Sequence, residues 1–400
     1  MKANDFIVKN KDLLIIYVFA LVMSLGLIVG RGVFTSPDTP SYISAYDTFV
    51  NGHLDSFRTP VYPFILGWMK FIFGENAFLF ATIVFQHILF LLSIWFFYQV
   101  ANELGVSRKA NFCLTLFYGC FPYLNTWGNR IITESIAISL SVVLLYFFII
   151  LIQNKKTIAK MMWSGFGFFI ILGLLLFHRP IFIYFLPVFL LIFGLKSMWR
   201  DGRKSAIVGL VASVLATICM LVYMSEFKQE YGVFATSRVS YQNNYANAHK
   251  EGLLKIEHPE SGEFWSMTIA EQKEYTDSIF RADLSKTAEV VFHRFFRSAD
   301  SQLLFYRGTG DHLWINMGWV YMFLLAYLCL FVWWMIRRKS IAWTSATMWI
   351  LCVSNIIVAV VGADTEFNRL TLPSMPFVIL MAGQLLALVK GKVVDMADFR

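Results

Sequence analysis

The chain has 400 residues, of which 58% are hydrophobic, 17% aromatic and only 15% charged, with a formal charge of +8. That is too apolar for a soluble domain of this size, and the basic residues fall in small clusters between apolar runs rather than in one stripe. The composition therefore excludes a nucleic-acid partner and predicts an all-α integral membrane protein in contact with membrane lipid.

Met1 to Asp12 is polar and lysine-bearing, and the run behind it, Leu13 to Gly30, is long enough to cross a bilayer. No small-residue cleavage site follows, so it is read as an uncleaved first helix. Apolar runs bounded by charge or proline then predict ten spans in all, near 13–30, 76–101, 110–125, 134–153, 161–177, 181–195, 205–224, 313–336, 341–361 and 370–389. Between them Arg108/Lys109, Lys155/Lys156/Lys160, Lys196/Arg200/Arg203/Lys204, Arg337/Arg338/Lys339 and Lys390/Lys392/Arg400 all fall on the side of Lys2/Lys9/Lys11. By the positive-inside rule that side is cytoplasmic, which puts both termini inside a bacterial-type cell membrane. The alternation requires Pro60 to Phe73 to lie along the outer interface instead of crossing, as its two prolines and Lys70 suggest.

Three parts follow: a membrane module over 1–224 with a first outer loop at 31–75, an extracytoplasmic helical loop over 225–312, and a membrane module over 313–400. Glu263 to Phe296 is read as helix. All five cysteines lie in apolar runs and pack as small hydrophobes, no metal motif is written, and a divalent cation is left open as a cofactor.

This topology collects the polar residues on one side. Asp38, Tyr42, Arg58 and Tyr62 in the first outer loop, Asn129, Arg130 and Glu134 before the fourth span, His178 and Arg179 between the fifth and sixth, and Asp364, Glu366 and Arg369 before the last all fall outside, each near a helix end. Charge beside hydrocarbon is costly unless it is paired or faces a cavity, so these residues are site candidates. Asp38 and Glu134 can act as catalytic acids or bases, and Tyr42, Arg58, Tyr62, Arg130, His178, Arg179, Glu366 and Arg369 can bind substrate or phosphate. Each has a plainer reading: Asp38 as a helix cap, Arg58 and Arg130 as residues reaching to headgroups, Glu134 as a helix N-terminal charge, His178 as a neutral histidine bonded to backbone. Asp47 and Asp55 are read as facing water, and His178-Arg179-Pro180 as a tight turn.

The order Asp38-x-x-x-Tyr42, Arg58-x-Pro60-x-Tyr62-Pro63, Thr133-Glu134 and Glu366-x-x-Arg369 with Pro373 and Pro376 downstream resembles the GT-C class of membrane glycosyltransferases, the superfamily of protein O-mannosyltransferases and lipid A aminoarabinose transferases. The resemblance implies a sugar donor linked through one phosphate to a polyprenyl lipid, and a glycan, lipid or protein acceptor. It implies that Asp38 lies closest to the chemistry, and that Arg58, with Arg179 and Arg369, holds the lipid phosphate. The acidic pair common in that family's first loop is not present at Asp38.

Two other classes fit a polytopic chain. A polysaccharide polymerase or ligase would take a diphosphate-linked oligosaccharide, and a transporter or flippase would place ionisable groups at the midplane of interrupted helices. The early motif order argues against the first, and the clustering of charge at the outer helix ends argues against the second.

Overall fold

The computed structural model describes residues 3–153, 157–200, 202–254, 262–304, 312–338, 342–362 and 367–389. Asp364 and Glu366 therefore lie outside the described residues. The chain opens with α1 (Ala3–Arg31), α2 (Thr39–Val50), α3 (Val61–Phe73), α4 (Phe78–Glu103), α5 (Arg108–Cys120), α6 (Pro122–Asn125) and α7 (Glu134–Gln153). It continues with α8 (Ile158–His178), α9 (Phe185–Met198), α10 (Arg203–Tyr231), α11 (Val239–Lys250), α12 (Ile269–Ala282) and α13 (Leu284–Asp300). A two-stranded antiparallel hairpin, β1 (Gln302–Leu304) and β2 (His312–Asn316), leads into α14 (Met317–Arg338), α15 (Trp343–Gly362), α16 (Phe367–Thr371) and α17 (Met375–Val389).

Among the described residues, nine helices are long and apolar enough to cross a membrane, which makes this a multi-pass membrane protein. The span expected over 110–125 is a shorter helix, α5, that breaks where the Phe121 backbone turns extended ahead of Pro122. The segment still passes from one end of α1 to the other. Arg108 Nε donates to Asp12 Oδ2 at 2.6 Å, and Asn129 Nδ2 donates to the Leu27 and Gly32 carbonyls at 3.0 and 2.8 Å. A short helix extended by α6 and a 3-10 turn at Thr126–Asn129 thus runs alongside α1 where the span over 110–125 was expected.

The two ends of the bundle differ in character. Gln153 Nε2 donates to the Glu103 carbonyl at the Asp12 end, and Trp199 meets Trp343 edge to face, so the turns after α4, α7 and α9 and before α15 face one way. The opposite end carries α2, α3 and the segment between α10 and α14. α3 is the short apolar helix expected at 60–73, and it leaves Trp68, Phe71 and Ile72 exposed.

α10 runs on to Tyr231 and stops at Gly232, whose φ of 78° ends the helix in the left-handed region, so its polar last turns carry the chain into the loop expected from 225. One expectation about that loop needs correction. The helix expected over 263–296 is two helices and a 3-10 turn. Thr268 and Glu271 form a capping box that starts α12, and the Asp283 side chain accepts from Lys286 N to start α13, because each cap satisfies backbone donors that a continuous helix would have used.

Candidate active site

The first outer loop is built by turns written in its own residues. Ser36 N donates to Thr39 Oγ1 at 2.8 Å, Thr39 Oγ1 donates to the Ile131 carbonyl at 3.1 Å, and Phe34 pairs with the 129–131 backbone on both sides. α2 then starts at Thr39, with Pro40 in its first turn, where no donor is needed. Asp38 stands at the cap position yet makes no capping bond: Oδ1 accepts from Arg58 Nη2 at 2.8 Å and Oδ2 from Arg369 Nη2 at 3.1 Å. The Asp38 side chain is thus spent on the two arginines and does not cap α2.

Arg58 is aimed by Asp55, which does not simply face water: its Oδ1 accepts from Phe57 N at 2.8 Å and Arg58 N at 2.7 Å, an Asx-turn that presents the arginine inward. The Arg58 guanidinium also donates to Ser41 Oγ at 2.9 Å and lies 4.1 Å from the centre of the Tyr42 ring. Tyr42 meets Tyr62 edge to face, and Tyr62 meets His178 in the same way, so a column of buried rings floors the site.

Glu134 begins α7 and is 0% exposed. Its Oε1 accepts a short hydrogen bond from Arg369 Nε and lies 3.1 Å from Arg179 Nη1, an ion contact too oblique for a hydrogen bond. Arg179 is held where α8 gives way, through an extended backbone, to the 3-10 turn Pro180–Tyr184, the tight turn expected there. Arg369 sits in α16, whose position is fixed by Asn355 Nδ2 donating to the Leu370 carbonyl and to Ser374 Oγ. His178 takes its plainer reading, since Nε2 donates to the Thr133 carbonyl at 2.8 Å. Arg130 does not reach toward headgroups: it is buried, with its guanidinium 5.6 Å from the Trp127 ring.

Asp38, Arg58, Glu134, Arg179 and Arg369, which span 331 positions of sequence, thus form one chain of ion pairs with three cations and two anions. Burial raises the Asp38 carboxyl, and Arg58 followed by Arg369 outweighs it, holding the group below its ordinary value as a carboxylate. Among the described residues no three His, Cys, Asp or Glu side chains gather as a metal site. Both site carboxylates face two guanidiniums each, a field that favours an anion over a divalent cation, so the described residues do not fit a metal as they stand.

A supporting layer carries no motif. Gln86 Nε2 donates to the Gly128 and Arg130 carbonyls, both at 2.9 Å, and Gln86 Oε1 accepts from Tyr62 OH. His87 Nε2 lies 3.0 Å from Asn129 Oδ1; because the Asn129 amide nitrogen is spent on two carbonyls, the histidine donates. The one available signal was a Gln-His pair in the middle of an otherwise apolar span. A Cβ on Gly128 would stand 2.7 Å from His87 Cε1, so Gly128→Ala is expected to displace the ring from Asn129 and cost about 1–3 kcal/mol, read as a lower unfolding temperature in detergent. An unchanged midpoint would mean that this contact is slack.

No family model matches the sequence, and no curated protein matches it. The fold does match solved structures of an oligosaccharyltransferase from Archaeoglobus fulgidus. The form tethered to an acceptor peptide containing an NVT sequon superposes with a TM-score of 0.53 at 12% identity, over 97% of this chain and 50% of that one. The enzyme (AglB) in complex with an inhibitory peptide and a dolichol-phosphate gives 0.52 at 13% identity, over 95% and 50%. This chain accordingly shares the fold of those oligosaccharyltransferase structures. It spans about half the length of the structures it matches.

Proposed function

We propose that this protein is a membrane glycosyltransferase that moves a sugar from a polyprenyl-monophosphate donor to an acceptor at the extracytoplasmic face, with both termini in the cytoplasm. The observation that carries the reading is the ionic chain at one end of the bundle, with its excess of guanidinium over carboxylate and one partly open acid, Asp38, at 34% side-chain exposure. The basic turns at the other end support the orientation. The dolichol-phosphate held by the archaeal structure supports a lipid-phosphate donor in a fold of this kind.

In this mechanism the acceptor's nucleophilic atom bonds to the anomeric carbon as the bond from that carbon to the phosphate oxygen breaks. The electron pair leaves with the phosphate, and the acceptor proton goes to Asp38. Arg58 and Arg369 stabilise the charge that grows on the departing phosphate, while Glu134 and Arg179 hold Arg369 in place. A donor phosphate competes with Asp38 for those two guanidiniums, so its arrival frees the carboxylate and raises its basicity. Tyr42 and Tyr62 shape the floor, and Glu366 remains a candidate from its sequence position alone.

Purified protein in lipid nanodiscs, given a labelled polyprenyl-monophosphate sugar and then a diphosphate-linked oligosaccharide, tests the reading. Transfer from the first donor supports it, transfer from the second alone identifies a polymerase or ligase, and substrate movement without transfer in liposomes identifies a transporter. Arg58→Ala is expected to raise the donor KM about 10- to 100-fold, the value of a charge-assisted contact, with little change in the acceptor KM. Equal donor affinity would remove Arg58 from the clamp.

A further inference from the structure

α13 divides its surface into three sectors. Val290, Arg294 and Ser298 face the bundle: Arg294 Nε donates to the Val360 carbonyl at 2.9 Å, and Ser298 Oγ is 2.8 Å from Tyr321 OH. Lys286, Glu289, His293, Arg297 and Asp300 form a second, polar sector, anchored on the segment after α11 by Arg297 with Glu251 at 2.8 Å and Lys286 with the Gly252 carbonyl at 3.2 Å. The third sector holds Leu284, Ala288, Phe292, Phe295 and Phe296, spaced to share about a third of the circumference. Leu284 is 70% exposed, Phe292 66% and Phe296 52% among the described residues. A helix with one protein-facing side, one polar side and one bare aromatic side is made for the boundary of three phases.

The neighbouring helix supplies the third phase. Phe295 stacks on Tyr321 of α14 at 5.3 Å between ring centres, and α14, a candidate membrane span, exposes Trp319, Met322 and Leu325. The apolar sector of α13 is therefore continuous with a surface that faces lipid.

We propose that α13 lies in the plane of the membrane, with its Leu284-to-Phe296 stripe sunk among the acyl chains of the leaflet next to the ionic site. The polar sector has both signs of charge, so burial of apolar surface rather than attraction to anionic headgroups holds it there. Arg294 also places its guanidinium carbon 5.8 Å from the Phe367 ring, two residues before Arg369, so the membrane-seated helix is fastened to the segment that carries a site arginine. The proposal does not depend on glycosyl transfer.

The test is spin-label accessibility in the full-length protein in phosphatidylcholine liposomes, in a background with the five native cysteines replaced. Labels are introduced one at a time by Ala288→Cys, Phe292→Cys and Phe296→Cys on the apolar sector, and by Glu289→Cys and His293→Cys on the polar one. Relaxation by oxygen should exceed that by a water-soluble nickel chelate at 288, 292 and 296, and the order should reverse at 289 and 293. Nickel access at 292 would leave the stripe in water and overturn the proposal. Shielding from both reagents would also overturn it, because protein, from this chain's own loops or a second copy, would then cover the stripe. Five positions in one helix keep the pattern readable if a single variant misfolds.

Discussion

Asp38→Asn is expected to abolish sugar transfer while leaving the protein folded. Asparagine keeps the size of the side chain and one accepting oxygen for Arg58 or Arg369, so the loop and its ion contacts lose charge but little shape. It has no basic oxygen to take the acceptor proton, a step that contributes about 10²–10⁴-fold in rate. Transfer by the variant at anything near the parent rate, with equal amounts of folded protein, would remove Asp38 from the chemistry. The pH profile gives a second reading of the same residue. Burial raises the carboxyl, and Arg58 and Arg369 lower it by more, so it stays ionised until the pH falls below the usual aspartate value of about 4. The acid limb of kcat/KM, which reports the enzyme before the donor arrives, should therefore lie below that value. Arg58→Ala removes the larger of the two lowering influences, so it should move the limb upward. Stability contributed by these pairs follows the same sign: it is present above the unfolded-state pKa and is lost as the pH falls through the depressed folded value.

Glu134→Gln is expected to be the most destabilising isosteric change at the site. Glu134 is fully buried, and its carboxylate is the shared anion of Arg179 and Arg369, whose side chains are themselves only 10% and 12% exposed. Removing one partner of a buried ionic group leaves the others charged and uncompensated, at a cost of about 3–5 kcal/mol. Thermal unfolding in detergent should show that loss. Arg179→Met in the same chain should recover part of it, because one unpaired cation is then gone. A Glu134→Gln midpoint equal to the parent's would mean that water or lipid headgroups already screen the cluster, and would weaken the assignment of Glu134 as the support of Arg369.

Particular residues show how far the primary structure could be read. The apolar runs, the side on which the charges collect and the extra helix at 61–73 were legible, because hydrocarbon imposes its length and polarity on every span regardless of which helices pack together. The choice between readings of single residues was not. Asp38 beside Thr39-Pro40 has the local form of a helix cap, and His178 beside Arg179 has the form of a site histidine; the first turned to two distant arginines and the second to the Thr133 carbonyl. Gln86 was passed over because a buried amide that satisfies backbone carbonyls needs no characteristic spacing.

By itself the chain's order of residues determined that this is a helical membrane protein with its charged helix ends gathered on one side, since burying backbone and charge in lipid allows few other arrangements. Only the tertiary structure decided which charges meet. The pairing of Asp38 with Arg58 and Arg369, and of Glu134 with Arg179 and Arg369, depends on how α2, α7, α8 and α16 converge, and that convergence is a property of packing between segments far apart in the chain, which no local pattern encodes.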